Sequence, residues 1–63
     1  MNKQTKIEII NDKINQLNIH IDLLNQNIAN GNYNKQGFPS FEEILLDFSN
    51  AKQALIQKLD ELN

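Results

Sequence analysis

Seven large aliphatic residues recur at alternating spacings of three and four along the first half of the sequence. They are Ile7, Ile10, Ile14, Leu17, Ile21, Leu24 and Ile28. An unbroken a/d heptad pattern of this kind is typical of an α-helix that packs lengthwise against another helix. We therefore predict a first helix over about residues 6–30, with Thr5 as its N-cap and Asn30-Gly31 at its end.

The next nine residues carry the turn-forming chemistry of the chain. Both glycines and the single proline fall between residues 31 and 39, which predicts a loop there. Ser40 follows Pro39, and Glu43 three residues later completes the pattern of a capping box. We therefore expect a second helix over about residues 40–62.

The apolar residues of this second helix form one broad stripe. Its members are Phe41, Ile44, Leu45, Phe48, Ala51, Leu55, Leu59 and Leu62. We assign these residues, with the seven aliphatic residues of the first helix, to one packing seam. The small Ala51 between larger side chains is what a close approach of two helices favours.

The two helices predict an all-α fold, with residues 1–63 forming a single antiparallel hairpin. In that arrangement Lys3 and Lys6 lie near Asp60 and Glu61, a pairing that favours the antiparallel direction. A chain of 63 residues buries only about 60% of the surface that its unfolded form exposes. Such short chains usually need cross-links or partners, so we expect the hairpin to form a homodimer, a four-helix bundle.

A second group of aliphatic residues, Ile9, Ile19 and Leu23, lies about 150° around the first helix from the seam. One interpretation is that they are ordinary exposed aliphatic residues, which proteins tolerate singly. The other is that they form a second contact surface, since Ile19 and Leu23 are four residues apart and adjacent on a helix. We take these three residues as the candidate interface.

The loop offers a further candidate surface. Tyr33, Lys35 and Phe38 could form a recognition tip, because loops held on a rigid scaffold often bind partners. Alternatively, the loop is a connector in which Phe38 and Phe41 close the end of the helix pair.

The composition disfavours catalysis and metal binding. There is no cysteine and only one histidine, His20, and no carboxylate lies three or four residues from it. We expect no catalytic residue, no cofactor and no metal site, and therefore no enzyme.

Charge and hydropathy narrow the partners and the location. The net charge is −2, and the chain has no arginine and no evident basic stripe, which disfavours nucleic-acid binding. Polar residues interrupt every apolar stretch, so we expect no membrane span, no secretory signal and a cytoplasmic location. The abundance of Asn, Ile, Lys and Gln is typical of AT-rich bacterial or phage genomes.

In length and layout the chain resembles the plasmid RNA-binding Rop proteins, helical hairpins that dimerise into four-helix bundles. The resemblance implies a homodimer and, as an alternative function, a regulator that binds nucleic acid. The residues themselves favour a small non-enzymatic module for protein–protein interaction or regulation, which self-associates through helix packing.

Overall fold

Two α-helices pack against each other to form the protein. In the computed structural model, which describes residues 2–63, α1 spans Lys3–Ala29 and α2 spans Phe41–Leu62. The N-terminal end of α1 and the C-terminal end of α2 line the same groove, so the two helices are antiparallel. Within the described residues there is no β-strand. The predicted all-α architecture of two packed helices is confirmed.

The first helix begins earlier than the sequence pattern predicts. Asn2 is the N-cap, with an extended backbone (φ −79°, ψ 171°), and its side chain accepts a hydrogen bond of 2.8 Å from the Thr5 backbone N–H. The predicted N-cap at Thr5 is therefore wrong. Asparagine is as good a cap as serine or threonine, so the helix gains almost one further turn before the aliphatic seam starts.

The end of α1 is a Schellman motif. Gly31 adopts a positive φ of 73°, and its backbone N–H donates to the Ile28 carbonyl at 3.0 Å. The Asn32 backbone N–H donates to the Asn27 carbonyl at 2.9 Å. These two bonds satisfy carbonyl groups that the helix end leaves free, and glycine takes the left-handed conformation without steric cost.

The loop contains a tight turn over residues 35–38. The Phe38 backbone N–H donates to the Lys35 carbonyl at 3.1 Å, and Gly37 at the third position has φ 89°. This is the pattern of a type II turn, which requires positive φ at that position. The Asn34 side chain also donates to the Pro39 carbonyl at 2.7 Å. Hydrogen bonds within the loop therefore stabilise its conformation.

Ser40 caps the second helix, as predicted. Its hydroxyl accepts a hydrogen bond of 3.1 Å from the Glu43 backbone N–H. Within residues 2–63 the Glu43 side chain makes no hydrogen bond back to Ser40, so half of the predicted capping box is present. Glu42 and Glu43 lie in the first turn, where the helix dipole favours negative charge.

The packing between α1 and α2 leaves most side chains partly exposed. Leu24, with 9% of its surface accessible, is the one buried side chain among residues 2–63. The other aliphatic seam residues of α1 are half-buried, as are seven of the eight assigned to α2: Phe41, Ile44, Leu45, Phe48, Leu55, Leu59 and Leu62. A single hairpin therefore has a contact seam and almost no interior.

Ala51, unlike the other seven residues assigned to α2, does not lie in the packing seam. It is exposed, whereas Lys52 beside it is half-buried, so the assignment of Ala51 to the seam is wrong. The side chains that face α1 keep the strict alternation of four and three residues from Phe41 to Leu62, and this spacing places Lys52 on the seam. The methylene groups of lysine can cover apolar surface while its amine stays in water.

The molecule is elongated. Its principal extents are 44 × 16 × 16 Å and its radius of gyration is 14.3 Å, against roughly 11 Å for a compact domain of this length. The chain exposes 4921 Å², whereas a compact monomeric protein of 7.3 kDa exposes roughly 4200 Å².

Candidate interaction surface

The three residues of the candidate interface all lie on the surface of α1. Ile19 is 60% exposed, Leu23 is 50% exposed and Ile9 is 38% exposed. Ile19 and Leu23 are one turn apart and adjoin each other. Ile9 lies roughly 15 Å further along the helix axis from Ile19, at a rise of 1.5 Å per residue. The structure thus divides the predicted interface into two parts. Ile19 and Leu23 lie near the loop, whereas Ile9 lies near the opposite end of the hairpin, which we call the open end.

Ile9 belongs instead to an open groove between the ends of the two helices. The groove has a volume of about 430 Å³. Its lining residues are Lys6, Ile9, Ile10 and Lys13 of α1 and Leu55, Lys58, Glu61 and Leu62 of α2. We call it the lysine groove, because three of these eight residues are lysines and the floor between them is aliphatic.

The lysine groove concentrates positive charge that the sequence pattern did not predict. Lys6 and Lys13 are one heptad apart and therefore share a face of α1, and the antiparallel packing brings Lys58 to the same place. Lys6 and Lys13 each come directly before a seam isoleucine, and this spacing is the sequence feature that could have indicated a cluster of lysines beside the seam. Lys58 could not be assigned to this cluster from the sequence, because its position depends on the register between the two helices.

At the open end, the predicted pairing of lysines with carboxylates brings the residues near one another but forms no ion pair among the described residues. Lys6 and Glu61 line the same groove, but within residues 2–63 no lysine nitrogen lies within 4.0 Å of a carboxylate oxygen. The antiparallel direction therefore rests on the apolar seam and the loop. Glu61 is the single acidic residue in the groove lining, and it leaves the lining with a net positive charge.

His20 lies on the same flank of the hairpin as the lysine groove, one heptad beyond Lys13. It is exposed, and its ring meets that of Phe48 with centroids 5.9 Å apart and planes at 59°. Within residues 2–63 no cluster of three or more His, Asp or Glu side chains is placed to hold a metal ion.

The loop tip presents aromatic side chains to solvent. Tyr33, Lys35 and Phe38 are all exposed, and Phe38 shows 64% of its surface. Phe41 is half-buried against the helix pair. Phe38 therefore does not close the end of the hairpin, and the interpretation that paired it with Phe41 as a plug is wrong for Phe38.

Neither α1 nor α2, as described over residues 2–63, contains a stretch long and apolar enough to cross a bilayer.

The chain matches no protein-family model, and it has no significant match among curated proteins or solved structures.

Proposed function

We propose that this protein is a small, non-enzymatic protein-interaction module that acts as a dimer of hairpins, with the four helices forming one bundle. The observation that carries the proposal is the surface area. The hairpin exposes 4921 Å², an excess of roughly 700 Å² over a compact protein of its mass. Each partner in a standard protein–protein interface loses about 800 Å², so one symmetric contact would remove the excess.

The chemistry of the exposed surface supports the same proposal. Ile9, Ile19 and Leu23 lie on the side of α1 that α2 leaves uncovered, and the floor of the lysine groove is aliphatic. Aliphatic surface gains about 25 cal/mol for each Å² removed from water. A second hairpin laid along this side would bury these residues and give the fold the interior that one copy lacks.

The first experiment is light scattering on a sizing column over a range of protein concentrations. We expect a species near twice the chain mass of 7.3 kDa. The double variant Ile19→Lys and Leu23→Lys should shift this species toward the monomer, because it places two charges in the proposed contact. A species of 7.3 kDa at every concentration would overturn the proposal.

Two matched variants control for non-specific effects of surface charge and of lost apolar area. Leu46→Lys changes an exposed leucine of α2 that lies outside the proposed contact. Tyr33→Ser with Phe38→Ser removes the exposed aromatic rings of the loop tip. Both should keep the dimer. If the loop-tip variant alone dissociated it, the contact would lie at the tip and not along α1.

A second candidate function, nucleic-acid binding by a Rop-like hairpin, is favoured by the clustering of Lys6, Lys13 and Lys58 around one groove. Three phosphate contacts would give a slope of log affinity against log salt of about −3. A gel shift at low salt, with Lys13→Gln and Lys58→Gln as the double variant, tests this function. The absence of any shift at low salt would exclude it.

A further inference from the structure

Charge is distributed unevenly along the 44 Å axis of the hairpin. The half near the loop, residues 17–51, carries four carboxylates and one lysine, a net charge of −3. The other half, residues 2–16 and 52–63, carries five lysines and four carboxylates, a net charge of +1. A second copy aligned in the same direction would place like charges together at both ends. A copy aligned in the opposite direction would place the positive half of each hairpin against the negative half of the other.

The face that holds the lysine groove continues toward the loop. Leu23 follows Ile9 by two heptads on α1, and Asp47 precedes Glu61 by two heptads on α2, so both lie on this face roughly 21 Å from the groove. Leu23 is half exposed and Asp47 is exposed. The same face thus has an aliphatic groove with amines at one end, and an exposed aliphatic side chain with a carboxylate at the other.

These features are arranged symmetrically about the middle of the hairpin. Gln16 lies midway between Ile9 and Leu23, and Ala54 lies midway between Asp47 and Glu61. The two helices are antiparallel, and His20 contacts Phe48. This register places Gln16 and Ala54 at nearly the same height along the long axis of the hairpin. A two-fold axis through this point would set Ile9 of one copy against Leu23 of its partner. It would bring Asp47 to the level of Glu61 of the partner, with Lys58 of the partner three residues away along α2.

We infer that the occupant of the lysine groove is a second copy of this chain, bound antiparallel, so that Leu23 and Asp47 of each hairpin meet the groove of the other. This inference rests on the proposed dimer and gives it an orientation. The contact is isologous, meaning that both copies use the same face, and it therefore closes as a dimer without leaving a free groove. Apolar contact provides the burial, and charge complementarity selects the orientation.

Single cysteines test the orientation cleanly, because the natural sequence contains none. A disulfide requires Cα atoms within about 7 Å. We expect Gln16→Cys to cross-link with itself under mild oxidation, since it lies at the two-fold axis. Ile9→Cys alone and Leu23→Cys alone should not cross-link, whereas an equimolar mixture of the two should. Asn25→Cys, on the flank opposite the lysine groove, is the control and should stay uncross-linked.

Charge reversal gives a second measurement that does not depend on cysteine. Lys58→Glu should weaken the homodimer, by about tenfold in dissociation constant, because two-fold symmetry brings the new carboxylate near Asp47 of the partner twice in each dimer. Combining Lys58→Glu with Asp47→Asn should recover most of this loss, because the like-charge contact is then removed. Circular dichroism at high concentration verifies that each variant remains helical.

The possible failures are distinguishable. A wild-type protein that is monomeric in light scattering overturns the proposed function itself. A stable dimer in which Ile9→Cys cross-links with itself as readily as with Leu23→Cys overturns only the antiparallel orientation. A stable dimer in which neither Gln16→Cys nor the mixture cross-links shows that a different face is used, and the lysine groove is then free.

Discussion

His20 of α1 and Phe48 of α2 pack with their ring centroids 5.9 Å apart and their planes tilted by 59°. This contact joins the two helices on the flank that carries the lysine groove. It adds a specific aromatic geometry to the packing seam, and it shows how far α2 is displaced along α1. Residues that are far apart in sequence, such as Lys13 and Lys58, come to one groove because of that register.

His20→Ala should lower the free energy of unfolding by about 0.5–1 kcal/mol, because it removes the tilted aromatic contact with Phe48. Urea unfolding followed by circular dichroism measures this change. Gln26→Ala, at an exposed position of the same helix, is the control and should change stability by less than about 0.5 kcal/mol. An equal effect at both positions would show that the ring contact contributes nothing.

Leu24→Ala should be among the most damaging single truncations in the chain. Leu24 is buried, and truncation of a buried leucine costs about 2–5 kcal/mol, which is enough to unfold a domain of this size. Leu17→Ala and Ile21→Ala, on the same seam, should also fall in or near this range. Leu46→Ala removes the same atoms from an exposed position and should be close to neutral. Thermal unfolding of the four variants gives the comparison.

Ser40→Ala should destabilise the protein by about 1 kcal/mol, because the Glu43 backbone N–H loses its acceptor. Ser40→Asn keeps a side-chain oxygen in the same place and should restore most of the stability. The measurement is the urea midpoint of both variants. Similar losses for Ala and Asn would indicate that the serine hydroxyl acts in some way other than as a cap.

Lys52→Met should stabilise the protein, on the order of 1 kcal/mol, because an apolar side chain of similar length would fill the seam position that Lys52 now occupies. Lys35→Met, in the exposed loop, is the control and should have no such effect. A destabilised Lys52→Met protein would mean that the amine makes an interaction that the hairpin needs.

The fold followed from the sequence because its strongest features are local. The heptad pattern of α1, the glycines and proline of the loop, and the Ser40 cap each depend on residues within a few positions of one another. Ala51 was misplaced because the prediction chose apolar residues for the α2 stripe, whereas the structure keeps the heptad spacing and accepts a lysine at position 52.

The lysine groove could not be predicted in the same way. Lys13 and Lys58 are separated by most of the chain, and only the pairing of the two helices brings them together. The early start of α1 was missed for a smaller reason, since Asn2 and Thr5 are both acceptable caps and only the hydrogen bond between them decides which is used.

If a second copy completes this fold, the stability of the protein must depend on its concentration, and thermal unfolding at several protein concentrations measures this dependence. If folding is coupled to association, the unfolding temperature must rise with protein concentration, over a range of about 100-fold, because mass action favours the dimer. We predict such a rise for the wild-type protein and a smaller one for the Ile19→Lys and Leu23→Lys variant. An unfolding temperature that stays the same across the whole range would overturn the proposed dimer, because the hairpin would then be stable as a single copy.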